Sequence, residues 1–513
     1  MKKKLYFSGA VLFLISWISF ILVPVTTDIK VFMAGARQAG FLNDGLITGA
    51  VLSWELKGIF SRILSCLIFR AVTLFVPFNT YSFEVICKAL YSLILIIIIL
   101  ISMLLSFPGE KRKALKAAFV SSLCFMAVHT GCHMQPEMTA SLLTLLSFSV
   151  YLNAVKTERH KKTKLFIAGL ITGSVFFLKS VLILMSVSMT AAVCIFKKEK
   201  RLALSLRDLL TTVIGGITAL AAGSLLITVI NPGEFRDMLD AAFFQDTLIS
   251  TGINMKRILS AFFYFHVLSL PFIPVAVLGV ICLFINIARL FNTGEKASLF
   301  FHFILWFMPL LFIVLSNRYF IYHFEAYVFP ALIEIYYAVG YAEGKRKKVI
   351  GVFSLVLTFW YLTVFSVISP VVFPFIRMDL RACRETEKML ERTGFDREET
   401  VLYLDDGTGA YALGNRSYLR YYYPLPLQRL SEDSGLKCQK ESLYRALNYT
   451  GKYITVYKDW IFKDGKNEDL KKKIADEYEY AGTIYVFTPP HSIRLSDAFT
   501  KHIDLYQRKQ ISP

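Results

Sequence analysis

Nine ionisable side chains stand at or just inside the ends of long apolar runs: Asp28, Glu55, Lys57, His129, His133, Glu137, Lys179, Arg318 and His323. Charged and titratable groups at that depth are costly and tend to be kept where they bind or react. The set supplies carboxylates able to take a proton from a hydroxyl, and cations able to neutralise an anionic headgroup. Asp28 is the most informative member. The apolar run Leu5 to Val25 is roughly 21 residues, about 31 Å as a helix and so the thickness of a bilayer's hydrocarbon core. Thr26-Thr27-Asp28 follows directly, which sets this carboxylate at headgroup depth.

Plainer roles compete at several positions. Lys57 and Lys179 lie where a lysine can simply extend its ammonium to the interface. His129, His133 and Glu137 follow an i, i+4, i+8 rhythm and carry zinc-ligand chemistry, but Pro136 is expected to end any helix that would align them. A divalent metal therefore enters only as a weak alternative. Asp405-Asp406-Gly407-Thr408-Gly409 lacks the alternating acids and closing Glu of a calcium loop and reads as a turn. Asn415-Arg416-Ser417 and Asn448-Tyr449-Thr450 fit a glycosylation sequon, a pattern common by chance. No P-loop, GxGxxG or G-x-S-x-G occurs.

The elements that must position these groups are membrane spans. The chain is 55% hydrophobic with 44 Phe in 513 residues, and its mean hydropathy of +0.51 is too apolar for a soluble protein of this length. The net charge of +19 resides largely in short basic links: Lys2-Lys3-Lys4, Lys111-Arg112-Lys113, Lys161-Lys162, Lys197-Lys198 with Lys200-Arg201, and Lys345-Arg346-Lys347-Lys348. That is the positive-inside pattern, and no nucleic-acid partner is implied. The basic start and first apolar run resemble a signal peptide, but the run is too long and lacks a cleavage site, so it reads as a retained span.

With the N-terminus inside, spans fall at 5–25, 84–107, 117–132, 139–155, 165–178, 180–196, 208–230, 268–288, 298–316, 325–343 and 349–373. These are about eleven helices, with the basic links on one side and the C-terminus on the other. The outer segment 26–83 holds amphipathic stretches around Ile59 to Val76 that suit the interface. From about Arg377 the composition turns charged and soluble. Val401–Leu404, Tyr453–Tyr457 and Thr483–Phe487 read as strands, Glu441–Leu447 and Glu468–Glu479 as helices. The expected fold class is therefore an all-α polytopic membrane domain, 1–376, followed by a small extracytoplasmic α/β domain, 377–513. Cys383 and Cys438 lie in that tail and could pair in an oxidising compartment.

Five segments, in order, give the chain a recognisable outline. They are Thr27-Asp28-Ile29 with Ala34-Gly35-Ala36-Arg37, then Trp54-Glu55-Leu56-Lys57-Gly58, then Gln135-Pro136-Glu137-Met138-Thr139. Ala168-Gly169-Leu170 with Gly173 and Phe177-Leu178-Lys179 is the fourth, and Arg318 through His323-Phe324 with Phe329-Pro330 the fifth. Together they resemble the GT-C superfamily of membrane glycosyltransferases, which includes protein O-mannosyltransferases, lipid A aminoarabinose transferases and oligosaccharyltransferase catalytic subunits. Gly58 and Ile59 stand where that pattern usually has two prolines.

The resemblance implies a sugar transferred from a polyprenyl-phosphate donor to an extracytoplasmic hydroxyl on a protein, lipid or glycan, at a bacterial-type cytoplasmic membrane. It implies Asp28 as general base and Lys57, Arg37, Lys179 and Arg318 as candidates for the donor phosphate. Glu55, Glu137, Tyr322 and His323 would orient substrate or acceptor. With a single acid at position 28 and none adjacent, a metal-independent route with no required cofactor is expected. A cell-envelope polysaccharide polymerase or ligase would instead place its large outer loop mid-chain. A transporter would show paired half-repeats, and a non-catalytic scaffold would bind the lipid-linked sugar through the tail.

Overall fold

The computed structural model describes residues 11–22, 27–52, 58–126, 128, 132–179, 182–186, 206–233, 255–268, 273–293, 296–315, 321–340, 374–419, 437–462, 467–488 and 499–509, positions 12 and 19 apart. The chain divides into two compact units. One comprises Met1–Leu22 with Ala89–Ser369, the other Val23–Lys88 with Pro370–Pro513.

The first unit is helical. Among the described residues three helices are long and apolar enough to cross a membrane: Tyr81–Ser106, Pro136–Thr157 and Arg207–Ile230. Its centre is Pro136–Thr157, buried along almost its whole length. Buried hydroxyls and amides on that helix satisfy themselves on its neighbours, as a setting without competing water requires. Ser147 bonds Ala168 O and the Thr172 hydroxyl at 2.9 Å each, and the Ser106 hydroxyl donates to Ser149 at 2.9 Å. Asn153 donates to Leu105 O at 2.9 Å.

The glycines foreseen in the fourth segment have a packing reason. A Cβ on Gly169 would lie 2.0 Å from Thr212 O, and one on Gly173 2.4 Å from Gly216 O, so helices Lys161–Ser174 and Leu206–Ile230 meet backbone to backbone. A second knot of polar groups joins Ile273–Thr293, Lys296–Leu315 and Val328–Gly340. There Glu334 accepts from Asn286 at 2.7 Å and from Trp306 at 3.3 Å, and lies 2.6 Å from His302.

Several element limits differ from the sequence reading. The third helix is Lys111–Met126, where a span over 117–132 was expected. Met255–Leu268 is a helix of its own ahead of Ile273–Thr293, where one span over 268–288 was expected. Pro136 opens its helix instead of ending one. With φ fixed and no N–H to bond, proline fits the first helical turn, and Gln135 precedes it as the N-cap. Residues 349–373 and 187–196 lie outside the described residues.

The second unit joins the outer segment to the tail. Helices Thr27–Leu42, Leu46–Leu52 and Ile59–Thr73, the first two turns of Tyr81–Ser106, and a helix over 374–393 accompany one four-stranded sheet. Strands β1 (Val401–Leu404), β2 (Tyr453–Val456), β3 (Tyr478–Thr488) and β4 (Phe499–Arg508) lie in the order β1-β2-β4-β3. β1 and β2 are parallel, the other pairings antiparallel. The two short parallel strands are buried throughout, as strands covered on both faces should be. The three expected strands are present, with β3 extended at both ends, and β4 was not foreseen. Its alternation, Lys501-His502-Ile503-Asp504-Leu505, buries Ile503 and Leu505 and gives a weak apolar signal.

The Asp405–Gly409 turn closes on itself. Gly407 (φ +87°) and Gly409 donate to the Asp405 carboxylate at 2.8 and 3.0 Å, as does the Thr455 hydroxyl at 2.6 Å, while Asp406 pairs with Lys501. A short helix, Thr408–Leu413, begins at this turn. Cys383 carries a free thiol, which burial pushes up to about 12. Asn415 of the first sequon is buried and donates to Asp396 O and Glu399 O. Asn448 of the second is exposed.

Burial, then the charge of Asp406, push Asp405 from 3.8 to about 7 against its three donors. The fold therefore holds this proton to higher pH than the unfolded chain does. The stabilisation is complete below the unfolded pKa and is lost as pH rises through about 7. Hydrogen-exchange protection of β1 and β2, corrected for intrinsic rates, should fall between pH 4 and 8 in the native chain, and Asp405→Asn should flatten that slope. An equal slope in both would contradict the assignment.

Candidate active site

Three of the five segments noted in the sequence meet in the first unit. Glu137 sits in the first turn of Pro136–Thr157, where the helix dipole favours an acid. Lys179 follows the 3₁₀ turn Val175–Phe177, which takes the chain out of the helix Lys161–Ser174. His323 lies in the 3₁₀ stretch Ile321–Tyr327. The Lys179 ammonium donates to Glu137 Oε1 at 2.8 Å and stands 3.2 Å from His323 Nε2, which is itself 3.7 Å from Glu137 Oε1. The Phe312 ring lies 5.6 Å from the ammonium and packs edge-on to His323.

The burial of the three is unequal, and that decides what the cluster can offer. Glu137 is 0% exposed and the His323 side chain 2%, whereas the Lys179 side chain is 25% exposed. Glu137 Oε2 is buried without a hydrogen-bond partner among the described residues. The cluster thus presents one accessible cation, held in place by a carboxylate and a ring, with a spare carboxylate oxygen behind it. Tyr91 adds a further polar layer, bonding the Thr139 hydroxyl at 2.7 Å, and Glu325 is buried nearby in charge terms, acting with Glu137 on the Tyr91 phenol.

The second unit holds a separate buried array around Lys30, two residues beyond Asp28. Its ammonium, on a residue 3% exposed, reaches Asp379 Oδ1 at 2.8 Å, Phe487 O at 3.1 Å and Glu84 Oε1 at 3.2 Å. Burial alone opposes that charge. The Asp379 and Glu84 carboxylates outweigh it and hold Lys30 protonated well above the ordinary lysine range. Two turns on, Arg37 donates Nε to Gly414 O at 2.9 Å and lies over the Phe41 and Phe78 rings at 5.0 and 5.6 Å. Gln38 donates to Asn415 O at 2.7 Å and accepts from Ser417 N at 2.8 Å.

No protein-family profile and no curated protein matches this sequence. Among solved structures the chain resembles ArnT from Cupriavidus metallidurans. In the apo state the TM-score is 0.60 at 11% identity, covering 99% of this chain and 98% of that one. For ArnT bound to undecaprenyl phosphate it is 0.59 at 10% identity, over the same shares of both chains. The Archaeoglobus fulgidus oligosaccharyltransferase is a more distant likeness, with a TM-score of 0.45 at 13% identity over 92% of this chain and 72% of that one. This chain has the fold of ArnT.

Within that fold, the site residues expected from sequence fall into three groups. Glu137, Lys179 and His323 are brought into contact. Arg37 is described but is spoken for in part, its Nε bonded to a backbone carbonyl and its plane stacked on rings. Asp28 occupies the second position of helix Thr27–Leu42 and Tyr322 lies in the 3₁₀ stretch; their side chains, like Glu55, Lys57, His129 and Arg318 altogether, lie outside the described residues.

His133 is buried in a turn over 132–134 ahead of Pro136, so it does not share a helix face with Glu137 as the i, i+4 spacing would have it. Among the described residues no three His, Cys, Asp or Glu side chains gather as metal ligands. Lys30, Glu84, Asp379, Tyr91 and Glu325 were missed. The one available signal was Lys30 itself, a single charge in the run Ile29-Lys30-Val31-Phe32-Met33, because its partner Asp379 lies 349 residues away.

Removing Lys179 alone strands a buried carboxylate, which costs more than removing both partners. Lys179→Met should lower the thermal unfolding midpoint in detergent more than Lys179→Met/Glu137→Gln does. The coupling expected between the two sites is about 1–3 kcal/mol. Additive effects would show that the pair does not interact.

Proposed function

We propose that this protein is a membrane glycosyltransferase that moves a sugar from a polyprenyl-phosphate donor to a hydroxyl outside the cytoplasm. The observation that carries the reading is the contact cluster Glu137–Lys179–His323, assembled from segments 42 and 144 residues apart. Each of those segments had been marked as GT-C-like, and the cluster lies in a fold shared with ArnT, a protein solved with undecaprenyl phosphate bound.

In this reading the acceptor oxygen attacks the anomeric carbon while its proton passes to Asp28. The bond from that carbon to the phosphate oxygen breaks, and its electron pair leaves with the polyprenyl phosphate. A carboxylate of ordinary pKa, about 4, is ionised but only modestly basic, so positioning has to supply much of the rate. Charge gathering on the departing phosphate needs fixed cations. Lys179 serves best among the described residues: it has three N–H donors, of which Glu137 and His323 engage two, and a quarter of its side chain is open.

Lys57 and Arg318 would join it, and Arg37 would act through the guanidinium nitrogens other than Nε. Glu137 would help to orient the sugar or the acceptor, with Glu55 and Tyr322 as further orienting groups. The route proposed uses no metal, since Asp28 has no acid beside it to complete a ligand pair.

Mass spectrometry of envelope lipids and glycans from cells with and without the chain identifies the product. Asp28→Asn should abolish that product and accumulate the lipid-linked sugar, at unchanged protein abundance in the membrane. Wild-type product from Asp28→Asn would remove Asp28 from the mechanism.

A further inference from the structure

The helix Thr27–Leu42 is held to the tail by three of its side chains, and the two cations among them sit at positions on the far side of the helix from residue 28. Lys30, Arg37 and Gln38 make the contacts to Asp379, Phe487, Gly414, Asn415 and Ser417. Seven residues are nearly two full turns, so positions 30 and 37 sit within about 20° of each other round the helix. Position 28 is about 160° from position 30. The grip is tightest next to the helix start. The three acceptors around Lys30 match the three donors of an ammonium, which leaves it no hydrogen for a substrate.

The partners come from three other elements. Glu84 belongs to the first turn of Tyr81–Ser106, Asp379 to the helix over 374–393, and Phe487 to β3. Both carboxylates are buried, at 3% and 5% exposure, so the array has one low-energy arrangement. We infer that Lys30, through its buried contacts with Asp379, Glu84 and the Phe487 carbonyl, is a positioning residue that fixes the first turn of the helix carrying Asp28. On this view the C-terminal unit contributes to the reaction by setting where a base stands two residues away. The inference rests on the proposed role of Asp28.

A displacement of about 1 Å at a reacting group can cost up to about a hundredfold in rate while leaving binding intact, and that separates positioning from general stability. The test uses full-length protein in membranes, with lipid-linked sugar extracted from Asp28→Asn cells as donor. Lys30→Met strands Asp379 and Glu84 and lowers the unfolding midpoint, and per folded chain it should lower kcat tenfold or more with the donor KM within twofold of wild type.

Lys30→Met/Asp379→Asn removes the ammonium together with its nearest carboxylate, keeps Glu84 for the buried Lys88, and should show the same split. Asp379→Asn, which keeps the acceptor oxygen and the shape, should lower kcat about threefold and guards against misfolding of the others. Wild-type kcat in these variants, or a loss carried by KM or by abundance, overturns the positioning role while leaving the transferase reading in place. Product retained by Asp28→Asn overturns both.

Discussion

An ionised group buried in an apolar protein persists only when other groups satisfy it, and this chain meets that condition with two small arrays. In one unit Lys179 is held by Glu137 and His323. In the other Lys30 is held by Asp379, Glu84 and a backbone carbonyl. The rest of each unit is arranged to bring those partners together from distant parts of the chain. The buried serines and threonines on Pro136–Thr157 and the glycine-lined approach of Lys161–Ser174 to Leu206–Ile230 let the helices close far enough for Glu137 and Lys179 to touch.

The two arrays differ in what they leave over. Around Lys30 every donor of the ammonium is used, so the array is structural glue with a fixed geometry. Around Lys179 a quarter of the side chain remains open, against almost none of Lys30. That contrast is the physical basis for assigning substrate contact to one lysine and positioning to the other.

Much of the architecture could be read directly from residues. Apolar length marked Tyr81–Ser106, Pro136–Thr157 and Arg207–Ile230, and β-branched and aromatic clusters marked the first three strands. The amphipathic run near Ile59 is the helix Ile59–Thr73. What escaped had weak or non-local signals. β4 alternates between apolar and charged residues on a half-exposed ribbon. Pro136 was read as a helix breaker, although the same locked φ suits a helix start. For the site, glycine spacing and isolated charges picked out Glu137, Lys179 and His323. The Lys30 array stayed hidden because an ion pair spanning 349 residues leaves no trace in local pattern.

The central claim is that the accessible face of the Glu137–Lys179–His323 cluster receives the donor phosphate, and native mass spectrometry of the detergent-solubilised chain with undecaprenyl phosphate addresses it most directly. The account predicts that the wild-type chain retains a single lipid phosphate. It also predicts that Lys179→Met/Glu137→Gln, which folds without a stranded charge, loses that lipid by tenfold or more. Equal retention by the two proteins would contradict it.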